Sequence, residues 1–133
     1  MSSGGPVRAM VAAHGELAAG LVSGVEAIAG RGSAFIAFSN RGLGPADIER
    51  AIRETVETGA LEVVFTDLPM GSCAMAARRV QRQRPGLLVV TGVNLAVLLD
   101  FAMADGVPAR EAAERAVARG KEALGAVGGP HAG

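Results

Sequence analysis

The stretch Val7-Arg-Ala-Met-Val-Ala-Ala-His14-Gly15 decides how the rest of the chain reads. Its first seven residues are apolar apart from Arg8, and the run breaks off at a histidine and a glycine. A run this short with no polar face suits a strand covered on both sides, as in a parallel sheet. Three further runs share the character: Ser33-Ala-Phe-Ile-Ala-Phe38, Leu61-Glu-Val-Val-Phe-Thr66 and Leu87-Leu-Val-Val-Thr91.

Segments of helical period separate these strands. Residues 15–29 place Leu17, Leu21, Val25 and Ile28 on one stripe and stop at Gly30. The second helix opens with Pro45 and carries Asp47 and Glu49 near its positive end, closing at Gly59. Ser72 is the expected N-cap of the third, whose Arg78, Arg79 and Arg82 sit toward the C-terminus before Pro85-Gly86. Asn94 is the expected cap of the fourth, and a fifth runs from Pro108 to about Gly120. Gly120 and Gly125 would each cost about 1 kcal/mol inside a helix, so the segment after Gly120 is not assigned to one. The order βαβαβαβα predicts an α/β fold: a doubly wound, mostly parallel sheet with helices on both faces.

Composition narrows the partners. The 133 residues fit one domain, with residues 1–6 and 128–133 as flexible ends. Lys plus Arg equals Asp plus Glu at 13 each, leaving no basic surplus for nucleic acid or an anionic membrane. Charges interrupt every apolar run well short of the roughly 18 residues of a membrane span. The single cysteine, Cys73, forms no internal disulfide and has no neighbouring ligands for zinc, so a reducing cytoplasm is expected, with neither metal nor cofactor.

In a doubly wound sheet the functional crevice lies outside the carboxyl ends of the strands. That rule selects residues 14–15, 39–42, 67–72 and 92–94. His14 leaves the first strand beside Gly15 and the free N–H groups of a helix start, a place suited to an anion. Asp67 ends the third strand, and if strands three and one are neighbours the two side chains meet. A carboxylate on one imidazole nitrogen sets the tautomer and leaves the other nitrogen nucleophilic. Gly71 and Ser72 add close backbone approach, a hydroxyl and a helix N-terminus. The bland alternative is a structural histidine, a capping aspartate and a turn. Elsewhere, His131 reads as a solvated tail residue, Cys73 as a small buried hydrophobe, and Arg78, Arg79, Arg82 and Arg84 as a solvated helix end. Arg41-Gly-Leu-Gly44 lacks the pattern of a phosphate loop and reads as a turn, from which Arg41 could reach a phosphate or an acidic partner.

Val11-Ala-Ala-His-Gly15, Phe65-Thr-Asp-Leu-Pro-Met-Gly-Ser72 and Thr91-Gly-Val-Asn-Leu95, in this order and spacing, resemble the IIA domain of the mannose family of the phosphoenolpyruvate-dependent sugar phosphotransferase system. The similarity runs from about Val7 to Val127, which makes residues 7–127 the expected domain. The resemblance implies a phosphotransferase in which His14 takes a phosphoryl group from the phosphocarrier HPr. A IIB component then receives it for sugar uptake through membrane IIC and IID subunits. Asp67 would orient the ring so that Nε2 is phosphorylated, with Gly15, Gly71 and Ser72 at the phosphate. It further implies a homodimer that exchanges a C-terminal antiparallel strand, recasting residues 122–127 as strand and accounting for both glycines.

The chain departs from the family pattern at Met70 and Cys73, around the serine, and at Ala96-Val97, where Pro-Met is usual. Three other readings stay open: a regulatory module that shows the same phosphohistidine to partner proteins without feeding a transporter, a phosphotransferase subunit like that of dihydroxyacetone kinase, and a small-molecule-binding domain with a structural His14.

Overall fold

In the computed structural model, which describes residues 5–131, the chain forms four strands and five helices. In chain order these are β1 (Ala9–Ala13), α1 (Leu17–Ala29), β2 (Phe35–Ser39), α2 (Pro45–Gly59), β3 (Val63–Thr66), α3 (Ser72–Gln83), β4 (Leu88–Val90), α4 (Leu95–Met103) and α5 (Ala109–Ala123). A single turn of 3-10 helix, Gly32–Ala34, leads into β2. All strand pairings are parallel, and the spatial order is β2-β1-β3-β4. The expected α/β architecture is therefore the observed one. Residues 1–4, 132 and 133, parts of the expected flexible ends, lie outside the described residues.

β1 is central, and every one of its residues is fully buried. Because side chains alternate along a strand, Ala9, Val11 and Ala13 face a core made with α1, α4 and α5. Met10 and Ala12 face a second core made with α2 and α3. The first core centres on Phe35, Phe65 and Phe101, whose ring centroids are 5.2–6.2 Å apart, with the Phe65 pairs edge-on. Arg8, the one charge in the opening stretch, stacks 4.9 Å over Phe101 and donates to the carbonyls of Ala104 and Val107, closing the end of α4.

Two boundaries differ from the sequence reading. Asn94 caps α4 as expected, its Oδ1 accepting from the Val97 N–H at 2.8 Å. Ser72, however, is the first helical residue of α3, and Gly71 is the N-cap, with no side-chain cap bond. The Ser72 hydroxyl serves a different partner, described below.

The other correction concerns α5, which continues through Gly120 to Ala123 and so includes Glu122, expected as strand. Residues 124–127 follow as irregular chain outside the sheet, with Leu124 and Val127 exposed. Helix is kept at Gly120 by packing. A Cβ there would lie 2.0 Å from Val97 Cγ2, and the Gly120 carbonyl accepts from Asn94 Nδ2 at 3.0 Å. The missing side chain lets α5 touch the start of α4, which offsets the poor helix propensity of glycine. Gly120→Ala is accordingly expected to lower stability by about 1–3 kcal/mol, although alanine is the better helix former. A urea melt of the two proteins checks this, and an unchanged or raised midpoint would contradict it.

Candidate functional site

The register of β1 against β3 pairs Ala12 with Thr66, so the residues that leave the two strands emerge side by side. His14 and Asp67 are those residues. Asp67 Oδ2 accepts the His14 backbone N–H at 3.0 Å and lies 2.7 Å from His14 Nδ1, while Oδ1 accepts the Leu68 N–H at 3.0 Å. The carboxylate is almost enclosed at 7% exposure, whereas the imidazole is 47% exposed. One side of the ring is thus anchored and the other open.

Charge and tautomer follow from these contacts. Burial by itself would push the Asp67 carboxyl up, but the backbone N–H, ring and charge of His14, with the local backbone, outweigh it and hold the group below the usual carboxylate range. An ionised carboxylate only accepts, so Nδ1 carries the proton and the lone pair stands on Nε2.

Gly71 closes the site from the α3 side. A Cβ on this residue would stand 2.9 Å from His14 Cε1 and 3.5 Å from Leu68 Cβ. The ring therefore lies against bare backbone at the N-terminus of α3, whose first N–H groups have no acceptor within the helix. Gly71→Ala is expected to push the ring off its Asp67 anchor and slow any chemistry at Nε2 by about 10²-fold, the scale of a displacement near 1 Å. Single-turnover rates at Nε2 check this, with wild-type rates counting against it.

Ser72, the next residue, makes a contact not foreseen from the sequence. Asn40, the first residue after β2, donates from Nδ2 to Ser72 Oγ at 2.9 Å, and its own N–H donates to the Ala13 carbonyl at 3.2 Å. With a lone pair of Oγ occupied by Asn40, the hydroxyl remains a donor, and the neighbouring Cys73 thiol is one of its partners. The loop that contains Asn40 follows from the carboxyl-end rule; the role of Asn40 needs β2 and α3 brought together. Gly15 takes φ +56°, and the Leu17 N–H donates to the His14 carbonyl at 3.2 Å, turning the chain from β1 into α1.

The remaining candidates settle simply. Cys73 is fully buried and its thiol is pushed up to about 11, first by burial and then by the Asp67 charge, so it stays neutral in the core. His131 is exposed in irregular chain. Arg79 and Arg84 approach Glu49 and Glu57 of α2 at 4.0 and 3.6 Å, which makes that end of α3 a solvated charged face. The segments that leave the carboxyl edge near His14 are mixed instead: Leu17, Leu43, Leu68, Met70 and Met75 are exposed, Met70 to 81%, together with the charged Glu16 and Arg41, and they form the rim. Among the described residues no group of three or more His, Cys, Asp or Glu could hold a metal ion, and no helix is long and apolar enough to cross a membrane.

The family model of the PTS system fructose IIA component, EIIA-man, matches residues 8–119. The chain belongs to this family. The match spans all four strands and stops within α5, so the IIA family match leaves residues 120–133 outside.

No curated protein sequence matches. Solved IIA structures do. The mannose/sorbose-specific IIA subunit from Enterococcus faecalis superposes with a TM-score of 0.78 at 21% identity, covering 97% of this chain and 100% of its own. The phosphotransferase component EIIA from Streptococcus agalactiae gives 0.79 at 19%, covering 90% and 96%. A sigma-54 interaction domain protein from Enterococcus faecalis gives 0.67 at 15%, covering 90% and 94%. At these identities the likeness establishes the fold.

Proposed function

We propose that this IIA chain is a phosphoryl carrier that accepts phosphate on His14 Nε2 from phospho-HPr and passes it to a IIB component for sugar uptake. The observation that supports this most is the anchored ring: Nδ1 is held 2.7 Å from a nearly enclosed carboxylate, with Nε2 at an open face beside Gly71. In the transfer, Nε2 attacks phosphorus as the nitrogen–phosphorus bond of the donor histidine breaks, and the Nδ1 proton stays where it is. Asp67 offsets the positive charge that develops on the ring. The N–H groups at the start of α3, the Ser72 hydroxyl and the backbone at Gly15 and Gly71 hold the phosphoryl oxygens. The reaction needs neither cofactor nor metal.

The apolar side chains exposed on this rim favour protein partners over a small substrate, since a carrier must dock face to face and exclude water during transfer. HPr and IIB fit this description and would meet the chain in the cytoplasm. IIC and IID would be reached only through IIB, and nucleic acid is not a partner.

Residues 7–127 form the proposed carrier unit, and the unit pairs with a second copy. Among the described residues β4 pairs only with β3, leaving an outer edge beside a mostly apolar cleft of about 260 Å³ lined by Val90, Asn94, Val97, Val117 and Leu124. The exposed segment 124–127 of a partner, added antiparallel, would cover both. Sedimentation equilibrium reads the oligomeric state.

A regulatory module is the second reading, favoured by the rim itself. Met70, the most exposed apolar residue of that rim, stands at one of the departures from the family pattern. Such a module would use the same phosphohistidine to engage a regulatory protein instead of IIB. Incubation with phosphoenolpyruvate, enzyme I and HPr, followed by peptide mass spectrometry, tests the shared chemistry. Acid-labile, alkali-stable phosphate on the His14 peptide is expected, and its absence there, or its presence elsewhere, would overturn the proposal. Pull-downs with and without phosphorylation then separate a IIB recipient from a regulatory one.

A further inference from the structure

Arg41 lies in a tight turn set on the end of β1. The Leu43 N–H donates to the Asn40 carbonyl at 3.1 Å and Gly42 takes φ +75°, so Arg41 occupies the second position of a type II turn. The Arg41 N–H donates to Ser39 Oγ at 3.1 Å, and the neighbouring Asn40 is tied to both Ala13 and Ser72. The base of this side chain is therefore built into the same hydrogen-bonded frame as the site.

Its guanidinium reaches back over the residue that follows His14. Nη2 is 3.6 Å from where a Gly15 Cβ would stand, so the absent side chain at position 15 leaves the guanidinium room there. Nη1 is 3.7 Å from Glu16 Oε2, and both side chains are well exposed, at 67% and 84%. That spacing exceeds a hydrogen bond, and exposed pairs of this kind contribute at most about 1 kcal/mol. The contact holds Arg41 near the site without committing it.

The site's charge gives the guanidinium a use. Asp67 is ionised and Glu16 lies at the rim, so an arriving phosphoryl group meets two carboxylates and, on the ring, at most one positive charge. An arginine fork supplies two parallel donors to such oxygens and remains protonated throughout.

Resting on the phosphocarrier reading, we propose that Arg41 is a further catalytic residue. It leaves Glu16 and donates to the oxygens of the phosphoryl group as the bond to His14 Nε2 forms and the donor's bond breaks. Glu16 holds it ready in the unphosphorylated protein.

The test compares wild type, Arg41→Gln, Arg41→Lys and Glu16→Gln in single-turnover phosphorylation by phospho-HPr and by phosphoramidate, a small donor with no protein surface. With either donor Arg41→Gln is expected to be roughly 10- to 100-fold slower, toward the low end for loss of a charge-stabilising donor because the group is exposed. Arg41→Lys should recover part of the rate, and Glu16→Gln should raise it about twofold by freeing the guanidinium. The phosphohistidine ³¹P resonance should also move in Arg41→Gln, a response that a purely structural role would not produce. A defect confined to phospho-HPr would make Arg41 a docking residue and overturn the proposal, as would wild-type rates with both donors. Failure of wild type itself to take phosphate on His14 would instead overturn the carrier reading beneath it.

Discussion

Replacing His14 by alanine is expected to abolish phosphoryl uptake from phospho-HPr while leaving the fold in place. The loss should be complete because the other groups near the opening are poor substitutes. Ser72 lacks a general base of its own, Cys73 is a buried neutral thiol, and His131 lies in exposed chain beyond α5. The fold should survive because the ring is half exposed and its removal does not strand Asp67. That carboxylate still accepts the backbone N–H groups of residue 14 and Leu68, at 3.0 Å each. Stability should therefore fall by about 1.5–3 kcal/mol, the net contribution of one hydrogen bond to a charged group, which leaves the protein folded. Peptide mass spectrometry and a thermal melt measure the two halves of the statement, and a variant that still acquires acid-labile phosphate would refute the assignment of the carrier residue.

Asp67→Asn is expected to slow phosphorylation of His14 by roughly 10²- to 10⁴-fold, the range over which loss of an orienting carboxylate acts on a catalytic imidazole. The reason is a conflict over hydrogen bonds. If the amide nitrogen takes the place of Oδ2, it faces the His14 N–H and donates to Nδ1, which puts the ring proton on Nε2 and removes the nucleophile. If it takes the place of Oδ1, it opposes the Leu68 N–H and the charge that balances the phosphorylated ring is still lost. Either orientation disables transfer. Rates from phospho-HPr and the ¹⁵N shifts of the imidazole decide the matter, with a retained Nδ1–H tautomer and an unchanged rate as the contrary result.

The same carboxylate predicts a pH effect. Its folded value lies below the ordinary value of about 3.8, so the stability it contributes is fully present above that value and fades as pH falls through the lowered folded one. Acid unfolding of Asp67→Asn should lack this component, which a comparison of urea midpoints from pH 5 downward would show.

Much of the site was legible from alternation alone. Once Val7-Arg-Ala-Met-Val-Ala-Ala13 reads as a buried strand, His14 must leave the sheet at its carboxyl end, and the third run places Asp67 likewise. Asn40 was legible only as a member of a loop, and Arg41 as a turn residue within reach of a phosphate or an acidic partner. What each side chain reaches depends on β2 lying beside β1 and on α3 crossing behind, contacts between residues about 30 positions apart in one case. Ser72 misled as a cap because serine suits that position locally, whereas in the fold its oxygen is taken by Asn40 and the neighbouring glycine makes room for the histidine ring.

Gly120 draws the same line most sharply. By propensity it ends a helix, and nothing within a few residues argues otherwise; Val97, 23 positions earlier, does. The sequence by itself determined the order of elements, the two-sided burial of the central strand and the end of the sheet at which polar groups gather, because these follow from periodicities of two and 3.6 within single segments. The tertiary structure alone decided that Asp67 takes both the N–H and Nδ1 of His14, that Gly71 lies against the ring while Ser72 accepts from Asn40, and that α5 continues past its glycine. Those outcomes depend on which segments become neighbours, and a local pattern carries no distance to a residue it has not yet met.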